Sequence, residues 1–254
     1  MIKIRTKKKL GQHFLNNDDV AKKIISYHSN RKNVLEIGPG IGALTKFLVD
    51  EVDNLLLIEI DKDCILFLKK KYKDLNIIED DVLNIEFNTL FNKNLSIISN
   101  LPYNISSQVF FKILENRDSI DEFTFLIQKE VAQRVCSESG NKTYGILSVL
   151  LQTYFDLENI FEIEPDKFNP PPKVFSSVVK GVRNSTKNIG VPFKLLKNTV
   201  KLAFQNRRKT LRNSLKALNL PKTFTSNSIF SKRAEQLDVK DFIWLSNEIK
   251  KNEP

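Results

Sequence analysis

The segment Glu36-Ile37-Gly38-Pro39-Gly40-Ile41-Gly42-Ala43 constrains the architecture of this 254-residue chain more than any other. An apolar run at 33–37 precedes it and reads as a short buried strand. Ile41, Leu44 and Leu48 follow at helical spacing, and a second apolar run at 55–60 closes a strand–loop–helix–strand unit. Glycines at such a junction let the backbone turn tightly and approach a ligand where a Cβ would collide. Further strand-like runs at 75–78, 95–99 and 123–127 continue the alternation, with Val109, Phe110, Ile113 and Leu114 marking a helix between the last two. Strands alternating with helices predict an α/β fold with a mostly parallel sheet flanked by helices.

After residue 129 the pattern changes. Residues 129–136 predict a helix and 138–145 a polar loop. The run ILSVLLQTYF is equally compatible with helix and strand. Asn169-Pro170-Pro171-Pro172-Lys173-Val174 breaks regular structure, and 176–183 reads as a final strand. A polar linker at 184–190 leads to two helical stretches, 193–218 and 239–251; Phe193, Leu196, Val200 and Ala203 share one face of the first. The expected organisation is a large α/β domain over 1–183 and a small all-helical domain over 184–254.

Charge is distributed unevenly. Residues 182–254 carry 16 Lys+Arg against 5 Asp+Glu, whereas residues 1–181 carry 24 against 25. The first nine residues alone hold five cations: Lys3, Arg5, Lys7, Lys8 and Lys9. A near-neutral middle with basic ends fits a catalytic body flanked by polyanion-binding surfaces. Within FQNRRKTLRNSLKAL (204–218), Arg208, Arg212 and Lys216 recur at i, i+4 and i+8 with Arg207 and Lys209 alongside, predicting a basic helix face for RNA phosphates. Leu211, Leu215 and Leu218 form the adjacent apolar stripe. Cys64 and Cys136 stand apart, with only His13 and His28 besides, so neither a disulfide scaffold nor a zinc-type metal cluster is expected. No apolar run reaches the ~18 residues of a membrane span. Together with the solitary cysteines this predicts a cytoplasmic protein.

The chemistry is carried by short segments at the strand ends. Glu59 ends the second strand of the unit, about twenty residues past the glycine loop, where a carboxylate takes ribose hydroxyls. The loop spacing alone fits NAD or S-adenosylmethionine (SAM). Glu36 before the loop favours SAM, because an acid there reaches a cofactor amine but repels a pyrophosphate. Within Glu79-Asp80-Asp81, after the third strand, one carboxylate can accept from the cofactor's adenine amine. Asn100-Leu101-Pro102-Tyr103 follows the fourth strand. An aromatic amine is a poor nucleophile, since its lone pair is delocalised into the ring. The Asn100 side-chain oxygen and the Leu101 carbonyl can accept its two N–H groups and turn the lone pair toward a methyl donor. Pro102 fixes the backbone, and Tyr103 offers a stacking face. Phe168, before the proline run, is a candidate second stacking wall for a base taken out of its stack.

Taken together, LGQHFL (10–15), EIGPGIGALT (36–45), IEID (58–61), NLPYNIS (100–106), QKEVAQR (128–134), TYGILSV (143–149), FNPPPKVFSSVV (168–179) and NRRKTLRNSL (206–215) resemble the ribosomal RNA adenine dimethyltransferase family, in its small-subunit (16S) branch. These stretches run in order along nearly the whole chain. The resemblance implies a class I SAM-dependent methyltransferase domain, Rossmann-like, with a small helical C-terminal domain. It implies dimethylation of two adjacent adenines near the 3′ end of 16S rRNA within the immature small ribosomal subunit, and a role in subunit assembly. It further implies that His13, Leu15, Gly38, Glu59, Asp81 and Asn100 line the SAM site, alongside Glu36 and Gly40 of the loop region, and that Tyr103 and Phe168 flank the target adenine. Many relatives carry Asn where this chain has His13. The expected assembly is a monomer. Competing expectations are a large-subunit (23S) rRNA adenine methyltransferase conferring macrolide resistance, a non-catalytic RNA-binding assembly factor on the same scaffold, and an NAD oxidoreductase. The intact Asn100–Tyr103 segment argues against the second and Glu36 against the third.

Overall fold

The computed structural model of the chain describes residues 6–91 and 94–252; Lys3 and Arg5 lie outside them. The strands are β1 (Phe14–Leu15), β2 (Asn33–Ile37), β3 (Asn54–Glu59), β4 (Asn76–Glu79), β5 (Leu95–Asn100), β6 (Ile120–Gln128), β7 (Phe155–Ile163), β8 (Phe168–Asn169) and β9 (Ser176–Arg183). The α-helices are α1 (Asp18–Tyr27), α2 (Thr45–Glu51), α3 (Lys62–Lys71), α4 (Ser106–Glu115), α5 (Lys129–Val135), α6 (Ile146–Gln152), α7 (Phe193–Gln205), α8 (Leu211–Ser214), α9 (Lys222–Thr225) and α10 (Val239–Lys251). By contact the chain divides into two compact units, 1–132 with 156–183 and 133–155 with 184–254. Among the described residues no helix is long and apolar enough to cross a membrane.

The first unit is built on a seven-stranded sheet in the order β4-β3-β2-β5-β6-β9-β7. Strands β4, β3, β2, β5 and β6 run parallel, and β9 pairs antiparallel with β6. The central strands are predominantly apolar because helices cover both faces; Val34, Leu35, Leu57, Ile97, Ile98 and Phe125 are fully buried. From β2 the chain winds one way through β3 and β4, then crosses to β5 on the other side. The reversal opens a crevice beyond the C-terminal ends of β2 and β5, where open α/β sheets bind ligands. Both the glycine loop and the Asn100–Tyr103 segment emerge there. A two-stranded ribbon, β1 with β8, pairs Leu15 with Phe168 and Phe14 with Asn169.

Tight packing marks one position on β9. A Cβ at Gly181 would lie 2.2 Å from the Phe123 ring, which stacks on Phe125 with centroids 4.9 Å apart. Gly181→Ala is therefore expected to lower stability by about 1–3 kcal/mol, the usual cost of overpacking a core, measured by urea denaturation.

The second unit is helical. Leu196, Val200 and Ala203 of α7 are buried, as their spacing predicts, and α7 packs on α6 and α10. Phe204 stacks on Phe242 with centroids 5.8 Å apart. Two sequence expectations change here. The ambiguous run ILSVLLQTYF is divided: α6 takes its first seven residues and β7 begins at Phe155. With Leu147, Val149, Leu150 and Leu151 all buried, α6 is apolar nearly all round and needs other helices about it, so 133–155 groups with the C-terminal helices. By contact, 133–155 lies in the second unit and 156–183 in the first.

The continuous basic helix expected over 193–218 is also broken. Helix α7 ends at Gln205, residues 206–209 form an exposed turn, and α8 resumes at Leu211. Thr210 is extended and bridges Arg233, while the Leu211 N–H donates to the Lys232 carbonyl at 2.8 Å. Continuing the helix through Asn206-Arg207-Arg208-Lys209 would bury no apolar face and would set like charges four apart. The i, i+4, i+8 stripe of Arg208, Arg212 and Lys216 does not exist as a helix face.

Candidate active site

The glycine loop turns at Gly38 and Gly40, whose φ values are +62° and +56°. The Gly38 N–H donates to the Ile58 carbonyl at 2.9 Å, and the Gly40 N–H to Glu59 Oε2 at 3.0 Å. A Cβ on Gly40 would lie 2.8 Å from the Phe14 ring of β1. Gly40→Ala therefore combines left-handed strain of about 1–2 kcal/mol with displacement of β1, which carries Leu15 and directly follows His13. A loss of at least about tenfold in SAM affinity is expected by calorimetry, equivalent to about 1.4 kcal/mol.

Three carboxylates surround this loop. Glu36, at the end of β2, is 2% exposed, and its Oε2 accepts from Thr45 Oγ1 at 2.7 Å. Burial pushes the Glu36 carboxyl up to about 8; the Thr45 bond opposes that rise and the neighbouring Glu59 charge adds to it. Glu59 Oε1 accepts from the N–H groups of Ile60 (2.9 Å) and Asp61 (2.8 Å). Burial also raises the Glu59 carboxyl above its ordinary range, against these backbone bonds. Asp81 is half-buried and accepts from the Leu83 N–H at 2.9 Å.

Asn100 ends β5 and donates Nδ2 to the His13 carbonyl at 2.9 Å. A carbonyl only accepts, so the amide nitrogen must face His13, and Oδ1 is left as an acceptor directed elsewhere. The Leu101 N–H donates to the Leu126 carbonyl at 3.0 Å, anchoring the segment to β6 while the Leu101 side chain is buried. Pro102 packs beside the glycine loop, its Cδ 3.7 Å from where a Gly38 Cβ would stand. Tyr103 bonds Ser176 Oγ through its hydroxyl at 2.5 Å. Burial raises the Tyr103 phenol above its ordinary value, with the Ser176 bond opposing.

The N-terminal arm forms one wall. The Lys7 N–H donates to Gln12 Oε1 at 2.7 Å, and Gln12 Nε2 donates to Asp61 Oδ2 at 2.8 Å. Lys7 Nζ bridges Asp61 (2.5 Å) and Asp63 (2.6 Å). Burial pushes the Asp61 carboxyl up, but the bonds from Lys7, Gln12 and the Asp63 N–H outweigh it and hold it below the usual range. Lys7 is thus tied to structure. Ser176, Thr45 and the Lys7–Gln12–Asp61 ties are the site components that sequence reasoning missed. Each is a common polar residue whose hydrogen-bond partner only the fold reveals.

These groups enclose a cavity of about 290 Å³. Its lining includes His13, Leu15, Glu36, Gly38, Gly40, Glu59, Asp81, Asn100, Leu101, Pro102 and Tyr103. Of the residues singled out in the first unit, Phe168 is not among the lining. It is 3% exposed and belongs to a core cluster with Leu15, Ile24, Leu48 and Val178. The cause is register: pairing with Leu15 turns the Phe168 ring into the core. The ring that meets Tyr103 is His13, with centroids 5.4 Å apart and planes inclined by 26°. The donor set suits SAM, which presents a sulfonium, an ammonium, an adenine amine and ribose hydroxyls to acceptors. A dinucleotide pyrophosphate would face two buried acids.

In the second unit Arg207 Nη2 donates to the carbonyls of Lys142 (2.7 Å) and Tyr144 (3.0 Å) and lies 3.3 Å from Glu235 Oε2. Arg212 Nη2 donates to the Thr225 carbonyl at 3.0 Å. Both guanidiniums hold loops in place while remaining exposed, and Arg208, Lys209 and Lys216 are exposed as well.

Comparison with known proteins adds independent weight. A ribosomal RNA small subunit methyltransferase A from Flavobacterium johnsoniae is 48% identical, over 98% of this chain and 97% of its own length. A crystal structure of a dimethyladenosine transferase from Plasmodium falciparum has a TM-score of 0.81 at 26% identity, covering 94% of this chain and 98% of that one. The structure of the 23S rRNA methyltransferase ErmE shares the fold, with a TM-score of 0.68 at 21% identity over 95% of this chain and all of that one. The family model described as ribosomal RNA adenine dimethylase matches residues 3–251. With a glycine loop, a fixed Asn100–Tyr103 segment and an acid-lined cavity at the sheet's switch point, the chain belongs to the ribosomal RNA adenine dimethylase family.

Proposed function

We propose that the chain transfers methyl groups from SAM to the 6-amino groups of two adjacent adenosines near the 3′ end of 16S rRNA, in the immature small ribosomal subunit. It acts in the cytoplasm as a monomer and adds two methyls to each base. The observation that carries this reading is the orientation of Asn100. Its Nδ2 is committed to the His13 carbonyl at 2.9 Å, so its Oδ1 is the acceptor available to an aromatic amine. With the Leu101 carbonyl as second acceptor, both N–H groups of the amine are held and its nitrogen is drawn toward tetrahedral geometry. When bound, SAM supplies an electrophilic methyl. Glu36, Gly38, Gly40, Glu59 and Asp81 would hold it, together with His13 and Leu15. Tyr103 stacks the base, and positioning with electrostatics carries the step without a strong general base. Exposed Arg208, Lys209 and Lys216, with the outer faces of Arg207 and Arg212, take RNA phosphates, so affinity falls as salt rises.

The test is transfer of labelled methyl from SAM to small subunits isolated without this modification. Incorporation into their RNA supports the reading. Incorporation only when large-subunit RNA is offered transfers it to the large-subunit alternative.

A further inference from the structure

The second unit turns one large apolar ring to solvent. Among its described residues only Trp244, the single tryptophan of the chain, does so; it is 40% exposed, while Phe242 and Leu245 beside it on α10 are fully buried. Trp244 does not stand alone. The Phe224 ring of α9 lies against it, with centroids 6.3 Å apart and planes inclined by 57°. Phe224 in turn meets the buried Phe230 ring edge to face, with centroids 5.0 Å apart and planes inclined by 86°. The residue after Phe224 is Thr225, whose carbonyl accepts from Arg212 Nη2 at 3.0 Å. An exposed guanidinium is therefore tied next to the aromatic pair, and exposed Lys222 stands two residues before Phe224.

Charge decides between a protein and a nucleic acid as the occupant. Residues 167–234, which include Arg212, Lys222 and Phe224, hold 16 Lys+Arg and no Asp or Glu. Charge of one sign over that length suits a polyanion. The acids nearest Trp244 along α10 are each paired, Asp241 with Lys232 at 3.7 Å and Glu248 with Lys251 at 2.6 Å. Exposed rings beside free-facing cations match the way an unpaired nucleotide is held, its base on a ring face and its phosphate on a cation. A base inside a duplex has no face to offer. We infer that Trp244 and Phe224, with Arg212 and Lys222, form a stacking site for an unpaired nucleotide of the RNA substrate. None of these residues lines the methyl-transfer cavity. The inference deepens the reading of the chain as an RNA enzyme and rests on it for the choice of occupant.

Trp244 reports on its own surroundings, because no other tryptophan contributes to the emission. Titration of the full chain with single-stranded oligoadenylate is expected to quench that emission, and titration with an RNA duplex of the same length to leave it nearly unchanged. With a labelled strand followed by anisotropy, Trp244→Ala is expected to bind oligoadenylate about tenfold more weakly and Trp244→Phe within about threefold of wild type. Salt separates ring from charge. Lys222→Gln should lower the slope of log affinity against log salt by about one, whereas Trp244→Ala should leave the slope in place. Thermal unfolding checks the fold of each variant, and the quenching of wild type needs none of them. Unquenched emission at saturating oligoadenylate would overturn the proposal. Equal quenching by the duplex would overturn it too, since no base face is then required. Quenching by small-subunit proteins in place of RNA would assign the surface to a protein and sink the idea as well. Methylation of small subunits is measured separately: oligoadenylate quenching without methylation would support the stacking site and overturn the proposed activity.

Discussion

Asn100→Ala is expected to lower methyl transfer by about 10²–10³-fold, the loss seen when one pre-set hydrogen-bonding group is removed from a reacting centre. SAM affinity should change by only a few-fold, because the acid-lined part of the cavity is untouched. The asymmetry follows from how the side chain is held. Its nitrogen is spent on the His13 carbonyl, so the group lost from the reaction is the oxygen that accepts from the amine. Truncation also leaves the His13 carbonyl without that donor, at a cost of about 1–3 kcal/mol in stability. Single-turnover methylation at saturating SAM, with calorimetry on the same sample, separates the two effects. Unchanged turnover would remove Asn100 from the chemistry.

Glu36→Gln is expected to remove one component of the pH dependence of the protein's stability. The Glu36 carboxyl is pushed by burial from 4.5 to about 8 in the folded chain. Between those values the folded state binds the proton and the unfolded state releases it. The folded state is therefore favoured fully below pH 4.5, and that advantage is lost as pH rises through about 8. A shift of this size corresponds to roughly 5 kcal/mol, at about 1.36 kcal/mol per unit. The neutral amide keeps the shape, so the variant should match wild type near pH 5 and exceed it by several kcal/mol at pH 9 in denaturant titrations without SAM. If Glu36 faces the ammonium of SAM, the cofactor should stabilise wild type more as pH rises. That trend should vanish in the variant. Equal stability of the two proteins at pH 9 would show that Glu36 is not a buried acid of this kind.

Much of the sheet unit was legible because its signals are local. A strand, a glycine turn and a helix within residues 33–51 leave few alternatives, and each of β2 to β6 coincides with an apolar run. The Asn100–Tyr103 segment was legible for the same reason, being four consecutive residues at a strand end. What escaped depends on partners far along the chain. Phe168 reads as a free aromatic before a proline run, yet its direction is set by its register with Leu15, some 150 residues earlier. The stack of His13 on Tyr103 depends on that same ribbon. The basic run at 207–216 keeps helical spacing on paper, but Thr210 is captured by Arg233 and the helix cannot pass. Arg207 and Arg212 read as phosphate ligands, and both also serve as caps for neighbouring carbonyls.

Dimethylation of adenosine in small-subunit RNA leaves a product that can be read directly. Mass spectrometry of both ribosomal RNAs, after incubation of unmodified subunits with the protein and SAM, tests it most directly. Dimethyladenosine is expected at two adjacent positions near the 3′ end of the 16S RNA, with none added to the 23S RNA. Dimethyladenosine in 23S RNA alone, or none in either RNA, would contradict it.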